Sequence, residues 1–229
     1  MFMLCYCNGA MAREGVRDQI NALSAPHADH SVWEAFNTHA LRPASFEKIG
    51  VYFPLAEIIP PVHPGTWRYM YNRAAKTITP LPSGSPEWKI PQDDARAILV
   101  SQALSMRLRS ASLLPVDRPM PRRIYVVGGG SKNPAIVGAV ADVLGAREGV
   151  YKLDIGGNAC ALGAAYYAVW AGERGRGEGF ADFVAERWDE EGLVKKVGEG
   201  YKEGVWEGYG ELLEGYEMVE REIVEGNAK

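Results

Sequence analysis

Residues 123–168 read RIYVVGGGSKNPAIVGAVADVLGAREGVYKLDIGGNACALGAAYYA, and this stretch decides the fold. A short β-branched run ends at a glycine-rich loop, an apolar helical segment follows, and the same order of strand, loop and helix is then repeated. Alternation of this kind is typical of parallel strands that are joined by crossover helices. The stretch therefore predicts an α/β fold in which helices flank a sheet.

The first loop of this stretch, GGGSKN, has two interpretations. Glycines after a strand let backbone N–H groups approach an anion closely, and Gly129, Gly130 and Ser131 are placed to do so. Ser131 or Asn133 is expected to cap the helix that follows. The alternative is a turn whose glycines only let the strand and the helix pack together. The loop by itself leaves both interpretations open.

Known phosphate-binding motifs narrow the choice of nucleotide. The chain has no G-x-x-x-x-G-K-[ST] pattern, which excludes a Walker-type loop. Gly128, Gly130 and Asn133 fill the pattern G-x-G-x-x-N, which differs from the dinucleotide fingerprint only at its third glycine. Asp154 ends the next strand, where a ribose-binding acid is expected. A nicotinamide-dependent oxidoreductase domain is therefore an alternative on pattern alone.

The second loop of the stretch places Gly156 and Gly157 before Asn158, which is a favourable N-cap residue. Small residues then open the next helix and predict a close approach of backbones, either to another helix or to a ligand.

The remaining segments predict further helices and strands on both sides of this unit. FMLCYCNG predicts a short strand that ends in a turn at Asn8 and Gly9, with Cys5 and Cys7 buried on one face. Ser31 and Glu34 form a capping box at the start of SVWEAFNTHAL. Helical periodicity also marks AMAREGVRDQIN, PQDDARAILVSQALSMRLRSASLL and the tail YKEGVWEGYGELLEGYEMVEREIV, whereas KIGVYFPLAEIIPPV and GTWRYMYNRAAKTIT are rich in strand-forming residues.

Composition indicates either one large globular domain or one domain with an appended piece. The chain has 229 residues, of which 47% are hydrophobic, and its formal net charge of -4 gives no general attraction to nucleic acid or to an anionic membrane. No apolar run is long enough to predict a membrane span, so we expect a cytoplasmic protein. The 3 cysteines and 4 histidines show no metal-ligand spacing, and no metal site is predicted.

Residues 123–168 resemble the C-terminal portion of the FGGY family of carbohydrate kinases. The stretches MLCYCNGAMAREGVRDQIN, SVWEAFN and IGVYFPLAEIIPP are similar, within that family, to the D-xylulose kinases of fungal type. The resemblance implies a ribonuclease-H-like fold, shared with actin, in which a second domain holds ATP. It also implies transfer of the γ-phosphoryl group of MgATP to the 5-hydroxyl of D-xylulose.

The same resemblance assigns site residues. Gly128, Gly129 and Asn133 match the family's nucleotide-contacting positions, and Trp33 matches the aromatic residue beside the adenine. The alternative for Trp33 is a core tryptophan. No residue matches the catalytic aspartate, and Asp18, Asp142 and Asp154 are not assigned that role. Neither a catalytic residue nor a metal ligand is therefore expected in this chain.

From these matches we expect the chain to be the ATP-binding, C-terminal half of a D-xylulose kinase. Residues 1–172 are predicted to form the ATP-binding domain, and residues 173–229 a linker and a helical tail that packs on it. D-xylulose is expected to bind only with the family's sugar-binding N-terminal domain, so that the chain alone is inactive. The alternatives are the oxidoreductase domain and a non-catalytic protein that binds nucleotide or a partner.

Overall fold

The structure is a computed structural model that describes residues 3–24, 32–43, 45–155 and 158–227. Within this part of the chain, the α-helices are α1 (Gly9–Ser24), α2 (Glu34–Ala40), α3 (Gln92–Ser110), α4 (Pro134–Leu144), α5 (Ala159–Glu173), α6 (Phe180–Arg187), α7 (Glu190–Leu193) and α8 (Val205–Asn227). The strands are β1 (Lys48–Phe53), β2 (Glu57–Ile58), β3 (Pro61–Val62), β4 (Gly65–Asn72), β5 (Thr77–Pro80), β6 (Ile124–Val126), β7 (Val150–Leu153) and β8 (Val194–Gly198).

The strands form separate sheets. An antiparallel sheet has the order β1-β4-β5, with Lys48 opposite Met70 and Phe53 opposite Gly65. Strands β2 and β3 make a two-stranded ribbon beside it. The third sheet has the order β6-β7-β8. These strands bear out the β-rich character that was predicted for residues 48–80.

The third sheet contains the predicted unit of alternating strands and helices. Strand β6 pairs in parallel with β7, with Ile124 opposite Val150, and α4 connects them. Strand β8 pairs antiparallel with β7, so the sheet is mixed. The sequence pattern is confirmed here because its strand periodicity and its helix cap are local signals.

Helix α3 lies in the interior and joins two hydrophobic clusters. Ile98 belongs to a cluster with α1 and α2, whereas Leu104 belongs to a cluster with β1, β4 and α8. These two side chains are 1% and 0% exposed, respectively. Because α1 and α2 pack on α3, this buried helix fixes their positions.

A buried carboxylate connects α3 to the antiparallel sheet. Asp94 is 1% exposed and accepts hydrogen bonds from the Tyr52 hydroxyl at 2.6 Å and the Trp88 indole N–H at 2.7 Å. Arg68 on β4 pairs with it through two N–H donors at 2.8 and 2.7 Å. Burial, and then the Asp94 charge, raise the pKa of Tyr52 well above its ordinary value. The hydroxyl is therefore a hydrogen-bond donor to Asp94 over the whole physiological pH range.

Helix α8 completes the second cluster. Its buried side chains follow at helical intervals: Tyr209, Leu212, Tyr216, Val219 and Ile223. The predicted amphipathic helix is confirmed from Val205 onward, whereas Tyr201, which was included in the pattern, lies before its first residue.

The strand predicted at the start of the chain is wrong. Residues 3–6 have no regular secondary structure, and Gly9 begins α1 instead of closing a turn between strands. Cys5 and Cys7 are exposed rather than buried. The segment is held by Glu57, whose carboxylate accepts the backbone N–H groups of Cys7 and Asn8. The backbone N–H groups of this segment thus bond to a carboxylate distant in sequence and not to a neighbouring strand.

Candidate functional site

The glycine loop lies between β6 and α4 as a short 3-10 turn, Gly129–Lys132. Gly128 has a φ of +81°, a conformation that favours glycine for steric reasons. Gly129 needs no such conformation, and a Cβ added to it would meet no atom within 4 Å. The backbone conformation of the turn therefore accounts for Gly128, whereas Gly129 borders open space that a ligand can enter.

Ser131 makes its hydrogen bonds within the loop itself. The Ser131 backbone N–H and hydroxyl both donate to the Gly128 carbonyl, at 3.2 and 2.7 Å. The expectation that the Ser131 N–H faces an anion is therefore wrong, because that donor already closes the turn.

Asn133 is the N-cap of α4. Its Oδ1 accepts the backbone N–H groups of Ala135 at 2.9 Å and Ile136 at 3.2 Å, and the residue is 8% exposed. Of the two predicted caps, Asn133 is therefore the one that is used. The cap occupies the amide oxygen and fixes the direction of the side chain, while the two N–H donors of the Nδ2 group take no part in it.

Trp33 lies at the N-cap position of α2. Its ring meets Phe36 edge-on, with centroids 5.1 Å apart, and the Arg17 guanidinium lies 4.7 Å from the ring centroid. The side chain is half-buried against the cluster of α1, α2 and α3. It is thus anchored in the core on one side and exposed on another. The capping box predicted at its N-terminal side involves Ser31, which lies outside the described residues.

The loop and α2 enclose an open cavity of about 500 Å³ together with α1. Trp33, Gly129 and Asn133 all line it, although Trp33 is about a hundred residues away from the others in the chain. Gly128 precedes these residues in the loop but is not part of the cavity wall. The lining residues are Ala10, Arg13, Glu14, Trp33, Asn37, Gly129, Gly130, Lys132, Asn133, Pro134 and Ile136.

Four polar lining residues were missed by the sequence reasoning. Helical spacing could have indicated them. Arg13 and Glu14 share a face of α1 with Ala10, and Asn37 follows Trp33 by one helical turn. Lys132 belongs to the glycine loop itself. This spacing identifies lining residues only when the helix face that borders the glycine loop is known. That face depends on how α1 and α2 pack on α3.

Arg13 is the most buried cation of the cavity wall. It donates to Gln102 Oε1 at 2.6 Å, its Nε is buried without a partner, and it makes no ion pair with the carboxylates of the described residues. Burial lowers the pKa of Arg13 from its ordinary value, and the Glu14 charge opposes that shift. The wall therefore contains a guanidinium whose charge is only partly compensated.

The acid required by the dinucleotide pattern does not lie in this cavity. Asp154 pairs with Lys195 at 2.6 Å on the neighbouring strand β8, and this contact lowers its pKa, with Lys152 contributing. Asp142 pairs with Lys202 at 2.7 Å, and Asp18 pairs with Arg17 at 2.8 Å. Each of the three aspartates considered in the sequence is thus held by a cation.

The second glycine loop, residues 156–158, is described only at Asn158. Gly156 and Gly157 lie outside the described residues. Asn158 precedes α5, but its side chain makes no capping hydrogen bond, contrary to the prediction. No residue of α5 is buried, so the close backbone packing predicted for its small residues is absent from the part of the chain that is described.

Residues 3–24, 32–43, 45–155 and 158–227 contain neither a cluster of metal ligands nor a helix suited to cross a membrane. No group of three or more His, Cys, Asp and Glu side chains in these ranges is arranged to hold a metal ion. Among the same residues, no helix combines the length and the apolar character that a membrane crossing requires.

The C-terminal domain of the FGGY family of carbohydrate kinases matches residues 1–172. The chain belongs to this family. The match includes α1, α2, the glycine loop and α4, and therefore all residues that line the cavity. The family predicted from the sequence is confirmed.

Relatives of this FGGY domain include fungal proteins. A probable D-xylulose kinase A of Neosartorya fischeri is 48% identical over 240 residues, which cover 100% of this chain and 41% of the relative. D-xylulose kinase A of Aspergillus niger is 45% identical over 244 residues, covering 100% of the chain and 42% of that protein. The chain thus spans less than half the length of the relatives it matches.

A solved structure shares the fold of the FGGY domain. The xylulose kinase of Rhodospirillum rubrum superposes with a TM-score of 0.66 at 22% identity, covering 98% of this chain and 40% of that one. The ribonuclease-H-like fold of actin-like ATPases, predicted from the sequence, is confirmed by this likeness.

Proposed function

We propose that the chain is the nucleotide-binding, C-terminal half of a D-xylulose kinase, and that the cavity between α1, α2 and the glycine loop holds ATP. The observation that carries the proposal is the convergence of Trp33, Gly129 and Asn133 on one cavity within an FGGY domain. The parent reaction is ATP plus D-xylulose giving ADP plus D-xylulose 5-phosphate. The names of the 45–48% identical fungal relatives support this reaction.

Each proposed contact follows from a feature of the cavity wall. The indole of Trp33 offers a flat apolar surface for the adenine, worth about 0.5–1.5 kcal/mol beyond burial for a well-stacked ring pair. Gly129 lets the backbone of the loop approach the adenosine and phosphates without side-chain obstruction, and Gly128, just outside the cavity wall, allows the turn that brings this backbone to the nucleotide. Asn133 is oriented by its cap and directs its Nδ2 donors to the ligand.

Arg13 and Lys132 supply the positive charge for the phosphates. Both line the same cavity as Trp33, and the net charge of the chain gives no general attraction to an anion. Local charge must therefore hold the polyphosphate, and the Arg13 guanidinium, which has no ion-pair partner among the described residues, is suited to that task. Mg²⁺ accompanies ATP as part of the substrate, and we assign it no protein ligand.

The chain's residues bind and orient the nucleotide, and none is assigned a catalytic role. Phosphoryl transfer requires an acceptor hydroxyl in line with the γ-phosphate and a base that receives its proton. We propose that both are provided with the sugar-binding domain of the family, so that D-xylulose is a substrate only of the complete enzyme. No D-xylulose-dependent ADP formation is expected of the 229-residue chain.

The division of the chain is part of this proposal. Residues 1–172 form the ATP-binding domain, and residues 173–229 form a linker and a tail. Burial of Tyr209, Leu212 and Tyr216 against β1, β4 and α3 supports the idea that the tail packs on that domain. A cytoplasmic location stays a prediction from the sequence.

Ligand competition tests the proposal against the oxidoreductase alternative. We expect ATP and ADP to bind the chain more tightly than NADH, and Trp33→Ala to lower ADP affinity about five- to tenfold through loss of stacking. Ligand-observed NMR titration into the millimolar range measures both quantities.

Trp188→Ala is the matched control. Trp188 is also half-buried and contacts an aromatic ring, Tyr166, but does not line the cavity. Its substitution should leave ADP affinity unchanged. Preferential binding of NADH, or equal losses in both tryptophan variants, would contradict the proposal.

A further inference from the structure

A second cavity lies between α4 and the sheet formed by β7 and β8. It is open, measures about 460 Å³ and meets the cavity lined by Trp33 at Lys132 and Pro134, which border both. Val137 and Ala141 of α4 are 7% and 4% exposed and contribute an apolar part of its wall. A cleft of this size with polar and apolar walls can hold a small molecule.

Two lysines lie opposite each other on the strands beside this cavity. Lys152 lines it from β7, and Lys195 is the direct partner of Lys152 on the antiparallel strand β8. Like charges in such a pair repel each other. Asp154 is close to both, because its Oδ2 lies 2.6 Å from Lys195 Nζ and 4.0 Å from Lys152 Nζ. One carboxylate thus serves two ammonium groups.

Lys132 in the glycine loop is a third cation near Asp154. The hydrogen bond from Lys195 lowers the pKa of Asp154 from its ordinary value, and the charges of Lys152 and Lys132 lower it further. Lys132 makes no ion pair with a carboxylate of the described residues. Three ammonium groups are therefore arranged around a single carboxylate.

The other charged residues that line the cavity are held in ion pairs. Lys202 contacts Asp142 at 2.7 Å, and Glu199 contacts Lys196 at 2.7 Å. Both pairs are neutral, so the three lysines around the single carboxylate leave an excess of positive charge at this place. A local excess of one sign in a cleft attracts ions of the opposite sign, even in a chain whose net charge is -4.

The excess charge lies at the edge of the sheet where α/β proteins bind ligands. Lys152 stands near the carboxyl end of β7, which runs parallel to β6. Lys132 belongs to the loop that follows the carboxyl end of β6. Ligands of open α/β sheets commonly bind at the carboxyl ends of parallel strands. Position and charge thus both favour an anionic ligand.

We propose that the cavity between α4, β7 and β8 binds a small phosphate-bearing anion through Lys132 and Lys152, with Lys195 adding to the positive charge. Ammonium groups are suitable phosphate ligands, since they donate charge-assisted hydrogen bonds to the oxygens. Val137 and Val197 line the same cavity and can contact the carbon atoms of a phosphate ester. The inference does not depend on the proposed nucleotide function, because neither Trp33 nor Gly129 lines this cavity.

Titration of the ¹⁵N-labelled chain with inorganic phosphate tests the site. Phosphate replaces chloride near pH 7 at constant ionic strength, and amide chemical shifts are followed by NMR. We expect saturable shift changes in the millimolar range at residues 152–154 and 194–196, but not at residues 10–14 or 33–37. An excess of ADP should leave the changes at residues 152–154 and 194–196 in place, because the ligand occupies a separate cavity.

Two substitutions should change the phosphate affinity in opposite directions. Lys152→Met removes an ammonium group but keeps an unbranched apolar stem, and should weaken binding about five- to tenfold. Asp154→Asn removes the negative charge that competes with the ligand, and should strengthen binding about threefold. If these residues only stabilised the sheet, Asp154→Asn would not strengthen binding.

Lys89→Met is the matched control. It removes the same charge from an exposed position outside the cavity, and should leave the phosphate affinity unchanged. Ribose 5-phosphate, titrated in the same way, distinguishes the two sources of the phosphate group. Tighter binding of this ester than of inorganic phosphate identifies a phosphorylated metabolite as the ligand, whereas equal affinity identifies free phosphate.

Four results would overturn the inference. They are the absence of saturable changes at residues 152–154 and 194–196 with either ligand, displacement of phosphate by ADP, equal effects of Lys152→Met and Lys89→Met, and weaker binding by Asp154→Asn. Failure of ADP to bind the chain would contradict the proposed function but not this site, since phosphate is titrated without nucleotide.

Discussion

Glu57 shows how a single side chain organises the start of the chain. It is 5% exposed and accepts the backbone N–H groups of Cys7 and Ile58, each at 2.8 Å. It also accepts the Asn8 side chain at 3.0 Å. Burial by itself raises the pKa of Glu57, but these hydrogen bonds outweigh it and lower the pKa below the ordinary value of 4.5. The ionised carboxylate thus ties residues 7–8 to β2, immediately before the helix that lines the cavity.

Substitution of Glu57 should therefore affect stability in a pH-dependent manner. Glu57→Gln is expected to lower the free energy of unfolding at pH 7 by about 1–3 kcal/mol, because buried donors lose a charged acceptor. The contribution is complete above the ordinary pKa of 4.5 and is lost as the pH falls through the lower folded-state value. Urea unfolding at pH 7 and at a series of lower pH values measures it.

Glu87→Gln at an exposed position is the control for this experiment. It should change neither the stability at pH 7 nor its decline in acid. The assignment to Glu57 is wrong if Glu57→Gln loses stability as steeply in acid as the unsubstituted chain does, since the variant has no carboxylate to protonate at that position.

At the scale of elements, α8 illustrates why a helix with several glycines is stable. Gly215 faces the antiparallel sheet, and a Cβ at this position would lie 2.6 Å from the Tyr71 ring and 3.0 Å from the Ile49 side chain. Both of these residues are 2% exposed and belong to the hydrophobic cluster, so a shift of either side chain would disturb the core. The glycine costs helix propensity but permits the close approach of α8 to the sheet.

A pair of alanine substitutions in α8 separates packing from propensity. Gly215→Ala should destabilise the protein by about 1–3 kcal/mol through overpacking, despite a gain of roughly 1 kcal/mol in propensity. Gly226→Ala, where a Cβ meets nothing within 4 Å, should be neutral or slightly stabilising. Chemical denaturation of both variants is the measurement, and equal effects would refute the close contact.

At the scale of the whole molecule, burial is distributed unevenly among the helices. Helix α3 is buried over most of its length and belongs to both hydrophobic clusters, and α8 belongs to one of them. Helix α5 has no buried residue, and its Tyr167 and Val169 are 57% and 43% exposed. The helices thus differ in how strongly tertiary packing stabilises them.

Hydrogen exchange should follow this distribution. Amides of residues 159–173 are expected to exchange faster than those of residues 92–110 and 205–227, because opening α5 exposes little apolar surface. Mass spectrometry of peptides from these ranges tests the order. Protection of α5 equal to that of α3 would show that the chain buries α5 in solution.

Local patterns predicted much of the second half of the chain. Strand β6, α4 and β7 were predicted correctly, and Asn133 was one of the two caps predicted, because capping and periodicity depend on neighbours in sequence. The start of the chain was predicted wrongly because an apolar run does not show whether a partner strand exists. Exposed Cys5 and Cys7 are the consequence.

The candidate site was only partly predictable from the sequence, because its walls come from segments that are distant in the chain. The glycine loop, and with the family resemblance Trp33, were recognised from the sequence, whereas Arg13 and Asn37 were not. Their residue types are common on helix surfaces, and only the packing of α1 and α2 on α3 turns these faces toward the loop.

The sequence by itself determined the order of helices and strands in residues 123–168 and membership in a family of carbohydrate kinases, because these depend on residue type and spacing along the chain. Only the tertiary structure decided that α2 and the glycine loop enclose one cavity, that Asp154 pairs with Lys195 away from it, and that Asn37 Oδ1 is buried without a hydrogen-bond partner in the part of the chain that the structure describes. Those features arise from contacts between segments distant in sequence, and such contacts are set by how buried elements such as α3 pack, which no local pattern specifies.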